Sequence, residues 1–153
     1  MGGKNRQLKG AFNLLLLFIV SSLMAAVSIG ACSRVPHIEV EKQEARLSPV
    51  LLGVCSVSVF LRIENSGNGD DKLVSAKVDI PGTITEIHDV KAGKMTKREE
   101  IPIPAKSAVE LRPGSLHIMV FKLPTDARVG YEFRLRLVFE RSGEKLVSVS
   151  INR

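Results

Sequence analysis

The chain has 153 residues, of which 44% are hydrophobic and 25% are charged, values that suit one globular domain and argue against a long disordered chain. Its formal net charge is +6, but basic and acidic residues alternate along the chain and it has one tyrosine and no tryptophan, so no segment resembles the basic face with stacking aromatic side chains that nucleic-acid binding requires. We therefore exclude nucleic acid as a partner.

Residues 1–31 have the order of an export signal. Lys4, Arg6 and Lys9 form a positive start, and an apolar run at 14–27 follows. This run is shorter than the roughly 20 residues of a membrane-spanning helix, which favours the helical core of a cleaved signal peptide. Cleavage would lower the net charge from +6 to +3, because three basic and no acidic residues are removed.

The signal ends in the tetrapeptide IGAC at 29–32, which resembles the lipobox of bacterial lipoproteins. The resemblance implies that Cys32 is lipid-modified, that 32–37 form a lipid-anchored tether and that 38–153 form the domain. The membrane would then be a partner through the lipid, either the cell membrane or, in a Gram-negative cell, the outer membrane on its periplasmic side. An ordinary signal peptide or an uncleaved anchor is the alternative, and it also places the domain outside the cytoplasmic membrane.

From residue 38 onward, short alternating runs of valine, isoleucine and leucine are separated by turn residues. This pattern predicts an all-β domain, a Greek-key barrel or sandwich of about eight to nine strands. The NSGNGDD segment at 65–71 and several X-Gly pairs supply the turns. The predicted strands are 38–45, 54–64, 72–79, 84–90, 94–99, 107–112, 115–122, 131–139 and 144–151.

Cys55 alternates with Val57, Val59, Leu61 and Ile63 on the second predicted strand. An apolar stripe of this kind favours an inert buried thiol over a metal ligand or a redox thiol. If the lipobox cysteine is acylated, Cys55 has no partner within the chain, so a disulfide framework is excluded.

A histidine and a methionine share one face of the strand predicted at 115–122. His117 and Met119 are two positions apart, so the period of a strand points both side chains the same way. Leu116, Ile118 and Val120 occupy the other face, which we expect to contact the core.

A second such pair lies on the hairpin predicted at 84–99. If Ala92-Gly93 is a two-residue turn, Val90 pairs with Met95, and His88 becomes the diagonal neighbour of Met95 on the same face. Diagonal neighbours lie about 7–8 Å apart, within reach of long side chains. A three-residue loop would reverse that parity.

Two imidazoles and two thioethers would form a site without carboxylate or thiolate. Thioether sulfur favours copper(I), whereas magnesium and calcium prefer oxygen and structural zinc prefers thiolate or more imidazole. His88, Met95, His117 and Met119 are therefore the predicted ligands of one copper(I). His37, which precedes the first strand, is interpreted as a surface residue.

Met95 is followed by 21 residues and then by the His117-x-Met119 motif, and these ligand types at this spacing resemble the second half of the signature of the PCu(A)C family of extracytoplasmic copper chaperones. The family typically has ten residues between the first histidine and this methionine, and here six separate His88 from Met95. Removing two residues from each arm of a hairpin preserves the facing of both side chains. The resemblance extends over nearly the whole mature chain, in the stretches 59–88, 101–123 and 131–152.

The resemblance implies a cupredoxin-like barrel that carries copper(I) on exposed strand faces and transfers it to another protein, and not an enzyme. In this family the route typically leads to the copper centre of cytochrome c oxidase, so the acceptor would be an oxidase subunit or another copper chaperone. An electron-transfer cupredoxin would need a cysteine thiolate among its ligands, and Cys55 is expected to point into the core. The alternative is an envelope lipoprotein that acts as a scaffold, with weak or no metal binding.

Overall fold

The computed structural model describes residues 34–48 and 55–153, and the predicted signal peptide and Cys32 lie outside them. Ten strands form within the described residues, one more than predicted, and no helix there is long and apolar enough to cross a bilayer. The strands are β1 (Ile38–Leu47), β2 (Ser56–Asn65), β3 (Asp71–Val78), β4 (Ile84–Lys91), β5 (Lys94–Arg98), β6 (Ile101–Ile103), β7 (Ser107–Leu111), β8 (His117–Phe121), β9 (Glu132–Phe139) and β10 (Gly143–Asn152).

All ten strands belong to one sheet, in the order β5-β4-β8-β2-β1-β10-β9-β3-β6, with β7 paired to β2. The β1–β10 pair is parallel and the other pairs are antiparallel. Because β3, near one end of this order, also contacts β4, near the other end, the sheet curls into a nearly closed barrel. The predicted all-β barrel is confirmed.

The core is formed by alternate residues of the central strands. Val57, Val59 and Ile63 of β2 and Ile118 and Val120 of β8 are fully buried. Each such side chain stabilises the fold by about 1.5–3 kcal/mol relative to an exposed position. The intervening residues of the same strands therefore face away from this core, and they form the candidate site described below.

Strand β6 was not predicted from the sequence, because it has only three residues and its centre is Pro102. Proline has no N–H to donate to a ladder and is tolerated on the edge of a sheet. Pro102 pairs with Lys72 of β3, and β6 is the last strand of the order, so no further strand requires an N–H donor at this position.

Residues 34–37, predicted as part of a tether, lie across the loop at 66–70. The side-chain oxygen of Asn65 accepts hydrogen bonds from the backbone N–H groups of His37 and Gly67, at 3.0 and 3.1 Å. The side-chain amide of Asn65 donates to three backbone carbonyls. A Cβ on Gly67 would lie 2.4 Å from the His37 nitrogen, so this close approach requires glycine.

Asp71 is a second buried polar group at this end of the barrel. Its carboxylate accepts hydrogen bonds from the backbone N–H groups of Lys72, Arg141 and Ser142 and from the Ser142 hydroxyl. Burial raises the pKa of Asp71, but these four hydrogen bonds outweigh it and hold the pKa below the ordinary value of 3.8. The ionised form is thus favoured in the folded state.

We predict that Asp71→Asn lowers the free energy of unfolding at pH 7 by about 2 kcal/mol, because the amide NH₂ group that replaces one carboxylate oxygen cannot accept the two hydrogen bonds which that oxygen receives. A carboxylate whose pKa is lower in the folded protein stabilises it above the unfolded pKa, and this stabilisation is lost as the pH falls through the folded pKa. Urea unfolding at pH 7 and in acid should therefore show the difference between wild type and variant shrinking in acid. Asp126→Asn, in an exposed turn, is the control, and an equal difference at both pH values would contradict the prediction.

Candidate metal site

Strands β4 and β8 bring two histidines together. His88 lies directly opposite His117 in the antiparallel register, and their ring centroids are 5.9 Å apart at an interplanar angle of 74°. A metal–imidazole nitrogen bond is about 2 Å long, so one ion bound by two imidazoles separates their centroids by roughly 6 Å. The spacing of these rings is therefore suitable for a shared ion.

His117 is buried, with 4% of its surface exposed, although it lies on the face of β8 opposite Ile118 and Val120. Its Nδ1 is 2.8 Å from the carbonyl oxygen of Ser115. Because a carbonyl only accepts, Nδ1 carries the proton of a neutral ring, and Nε2 keeps its lone pair for a metal ion.

His88 has the opposite arrangement. Its Nε2 is 3.0 Å from a carboxylate oxygen of Glu86, and the carboxylate accepts this hydrogen bond. Its Nδ1 is the one buried side-chain nitrogen or oxygen without a hydrogen-bond partner in the described part of the chain. An unpaired buried polar atom costs about 1–3 kcal/mol, and a metal ion would satisfy it.

Met119 is on β8, between the neighbouring strands β4 and β2, and it is on the same face as His117. It is opposite Glu86 of β4 and Ser58 of β2, and 6% of its surface is exposed. The Ser58 hydroxyl donates a hydrogen bond to its sulfur at 3.1 Å, and the Ser48 hydroxyl lies 3.1 Å from that of Ser58. The thioether is therefore fixed in position before any ion binds.

Met95 differs from the other three residues in its exposure. The turn at 92–93 has two residues with positive φ, 50° and 73°, and Val90 pairs with Met95, which confirms the predicted hairpin register. Met95 thus lies diagonal to His88, but 51% of its surface is exposed.

The sequence predicted ligands on exposed strand faces, and this is wrong for His117 and Met119, because neighbouring strands and side chains cover them.

A phenylalanine ring lies beside each of the two imidazoles. The Phe60 ring centroid lies 6.3 Å from that of His117, and the Phe121 centroid lies 6.3 Å from that of His88. These apolar rings limit the access of water to the imidazoles. They favour the binding of a weakly hydrated soft ion over a strongly hydrated hard one.

Glu86 is a carboxylate beside this site, and each of its two oxygens accepts a hydrogen bond. It accepts hydrogen bonds from His88 and, at 3.2 Å, from Lys97. The hydrogen bond from His88, and next the one from Lys97, lower the pKa of Glu86 below 4.5. In residues 34–48 and 55–153, no three or more His, Cys, Asp or Glu side chains form a group that could hold a metal ion.

Cys55 precedes β2 and packs, half-buried, against the hydrophobic core. Its sulfur lies 3.9 Å from the carbonyl oxygen of Ala127. Successive residues of a strand alternate in facing, so Cys55 has the parity of the core residues and Ser58 that of the candidate site. Cys55 thus contacts the core as predicted, but it is half-buried and not fully buried, because it lies just before the start of β2.

Reasoning from the sequence missed the residues that support the ligands. Glu86 could have been found, because it lies two residues before His88 on a predicted strand and must share its face. Ser58 and Phe60 carry no such signal, since only the pairing of β2 with β8 brings them to the site. His37, which was predicted to be a surface residue, is exposed, and its Nε2 lies 3.4 Å from a carboxylate oxygen of Glu39.

Three solved structures have a similar fold. The copper-bound PCuAC domain from PmoF2 gives a TM-score of 0.61 at 22% identity, over 75% of this chain and 92% of that chain. The apo PCuAC domain from PmoF1 gives 0.61 at 28% identity, over the same shares of the two chains. The solution structure of CuI-DR1885 from Deinococcus radiodurans gives 0.57 at 20% identity, over 84% and 85%. The chain therefore has the cupredoxin-like fold of PCuAC domains.

Among curated proteins, "Uncharacterized protein RP573" of Rickettsia prowazekii (strain Madrid E) is 30% identical over 103 residues. The match covers 64% of this chain and 56% of the relative, so the chain spans about half the length of the curated relative it matches. The family model described as "Putative lipoprotein LpqE-like" matches residues 38–151, which include all ten strands apart from the last residue of β10. The chain belongs to the LpqE-like family.

Proposed function

We propose that the protein is a copper(I) chaperone that binds one ion through His88, Met95, His117 and Met119. The observation that carries the proposal is the buried, unpaired Nδ1 of His88, directly across the strand pair from a second imidazole. The copper-bound PCuAC domain from PmoF2 and CuI-DR1885 share the fold, which supports the same cargo here.

The chemistry of the ligands selects copper(I). Two neutral imidazoles and two thioethers are soft donors without charge, which suit a monovalent soft ion better than zinc or magnesium. The absence of a thiolate among these four ligands leaves the ion exchangeable. No nucleophile and base stand side by side among them, so we propose a carrier and not an enzyme.

The unequal burial of the ligands gives a route for transfer. His117 and Met119 are buried, the His88 side chain is 12% exposed, and Met95 is 51% exposed on the terminal strand β5. An acceptor can therefore reach Met95 first and replace its sulfur, while the buried ligands hold the ion until a second bond forms. Transfer would begin at the outer strand of the sheet.

The location and the acceptor are part of the proposal. We infer that residues 1–31 direct export, that Cys32 carries a lipid and that the domain works outside the cytoplasmic membrane. The family description, "Putative lipoprotein LpqE-like", supports the lipid anchor. A membrane-bound acceptor, such as the copper centre of cytochrome c oxidase or a chaperone that serves it, would then lie within reach.

Titration with copper(I) against a chromophoric copper(I) competitor, under anaerobic conditions, tests the proposal. We expect the wild-type protein to take up one equivalent and the Met95→Leu/Met119→Leu double variant to lose uptake. His37→Ala, which removes the remote third histidine, should bind as the wild type does. Absence of uptake by the wild type would favour the scaffold lipoprotein instead, for which the exposure of Met95 is the supporting observation.

A further inference from the structure

Glu86 contacts the candidate site without belonging to the proposed set of ligands. It lies two residues before His88 on the same face of β4, and it is directly opposite Met119 in the pairing with β8. Its two carboxylate oxygens bond to different partners, Oε2 to His88 at 3.0 Å and Oε1 to Lys97 at 3.2 Å. Lys97 in turn lies directly opposite His88 in the pairing of β4 with β5.

These hydrogen bonds determine which imidazole nitrogen is available. Because a carboxylate can only accept, the bond to Glu86 places the proton of neutral His88 on Nε2. The lone pair is then on Nδ1, which is the buried atom without a partner. In His117 the carbonyl of Ser115 holds Nδ1–H and leaves Nε2 free, so the two rings present different nitrogens.

We propose that Glu86, held in place by Lys97, is a positioning residue that fixes His88 in the Nε2–H tautomer and thereby presents Nδ1 to the ion. This inference rests on the proposed copper site, and it adds a residue that does not itself bind the metal. A hydrogen-bonded carboxylate behind a ligating imidazole orients the ring and increases its basicity. The salt bridge to Lys97 keeps the carboxylate from turning toward the ion as an oxygen ligand.

Two substitutions separate positioning from direct ligation. Glu86→Gln keeps one oxygen, which can accept the bond from His88 Nε2 although the bond from Lys97 is lost, and we expect its copper(I) affinity to stay within about threefold of wild type. Glu86→Leu removes the acceptor, and its affinity should fall by about 10–100-fold, the range seen when the hydrogen-bond partner of a ligand is removed. Glu144→Leu is the control, because Glu144 also lies on a strand and forms a salt bridge with an arginine, Arg136, but at an exposed position on β10.

The tautomer can be measured without copper. In long-range ¹H–¹⁵N spectra of the copper-free protein with labelled histidine, we expect wild type and Glu86→Gln to show His88 protonated at Nε2 and His117 at Nδ1. Glu86→Leu should shift only the nitrogens of His88 toward a mixture of tautomers, and the unchanged signals of His117 would show that the fold is intact.

A wild-type His88 protonated at Nδ1, or a His88 tautomer unchanged in Glu86→Leu, would overturn the positioning role. A Glu86→Gln variant that binds copper as weakly as Glu86→Leu would also overturn it, in favour of direct ligation. If the wild type binds no copper(I), the proposed function fails, and the tautomer measurement still decides whether Glu86 positions His88.

Discussion

Replacing Met119 by leucine is expected to weaken copper(I) binding on the order of 100-fold, equal to about 2.8 kcal/mol. The sulfur is buried and held by the Ser58 hydroxyl, so it needs little reorganisation to bind the ion. Leucine has nearly the same volume as methionine, and the cost to stability should stay below about 1.5 kcal/mol. Competition with a chromophoric copper(I) ligand measures the affinity, and thermal unfolding checks the fold.

Met95→Leu is the matched comparison, because it makes the same chemical change at an exposed position. In the wild type, the exposed Met95 side chain loses conformational freedom when it binds the ion, and this entropy cost offsets part of the gain from the sulfur–copper bond. We expect a loss of affinity of no more than about tenfold, together with faster release of copper to the competitor. Equal losses of affinity in the two variants would contradict the inference that the buried methionine contributes more to copper(I) affinity than the exposed one.

Asn65→Ala is expected to lower the free energy of unfolding by about 3 kcal/mol. The Asn65 side chain is fully buried, and it pairs with two backbone N–H groups and three carbonyls that would be left without it. These bonds join the segment at 34–37, the loop at 66–70 and the end of β6. Urea denaturation monitored by circular dichroism measures the loss.

The control for this prediction is Asn152→Ala, an asparagine at the exposed end of β10. Its effect should stay within about 0.5 kcal/mol. Asn65 and Ser58 are seven residues apart on β2, so about 23 Å separates this network from Met119, and Asn65→Ala should bind copper(I) with unchanged affinity. A loss of affinity with no loss of stability would contradict both parts of the prediction.

Local patterns in the sequence predicted most of the strands. Alternation in 56–65 and 132–139 identifies β2 and β9, because one face of each strand must be apolar to contact the core. The Ala92-Gly93 pair predicted the turn between β4 and β5 and therefore the pairing of Val90 with Met95. Strand β6 escaped prediction because a three-residue strand centred on proline has no period to recognise.

For the candidate site, too, local patterns predicted some features and the order of the strands decided others. The period of two places His117 and Met119 on one face of β8, and His88 and Glu86 on one face of β4, whatever the rest of the chain does. That these two strands are neighbours, with His88 opposite His117, depends on the order of the whole sheet. Pairing between strands distant in sequence leaves no local signal in the residues themselves, and only the PCu(A)C resemblance indicated it.

The sequence by itself determined the class of fold, the turns and the types of donor, because each depends on residues close together in the chain. The tertiary structure alone decided which nitrogen of each histidine is free, that Ser58 fixes Met119, and that Met119 is buried while Met95 is exposed. The physical reason is that burial and hydrogen bonding depend on what the neighbouring strands bring to a side chain. Strand order sets those neighbours.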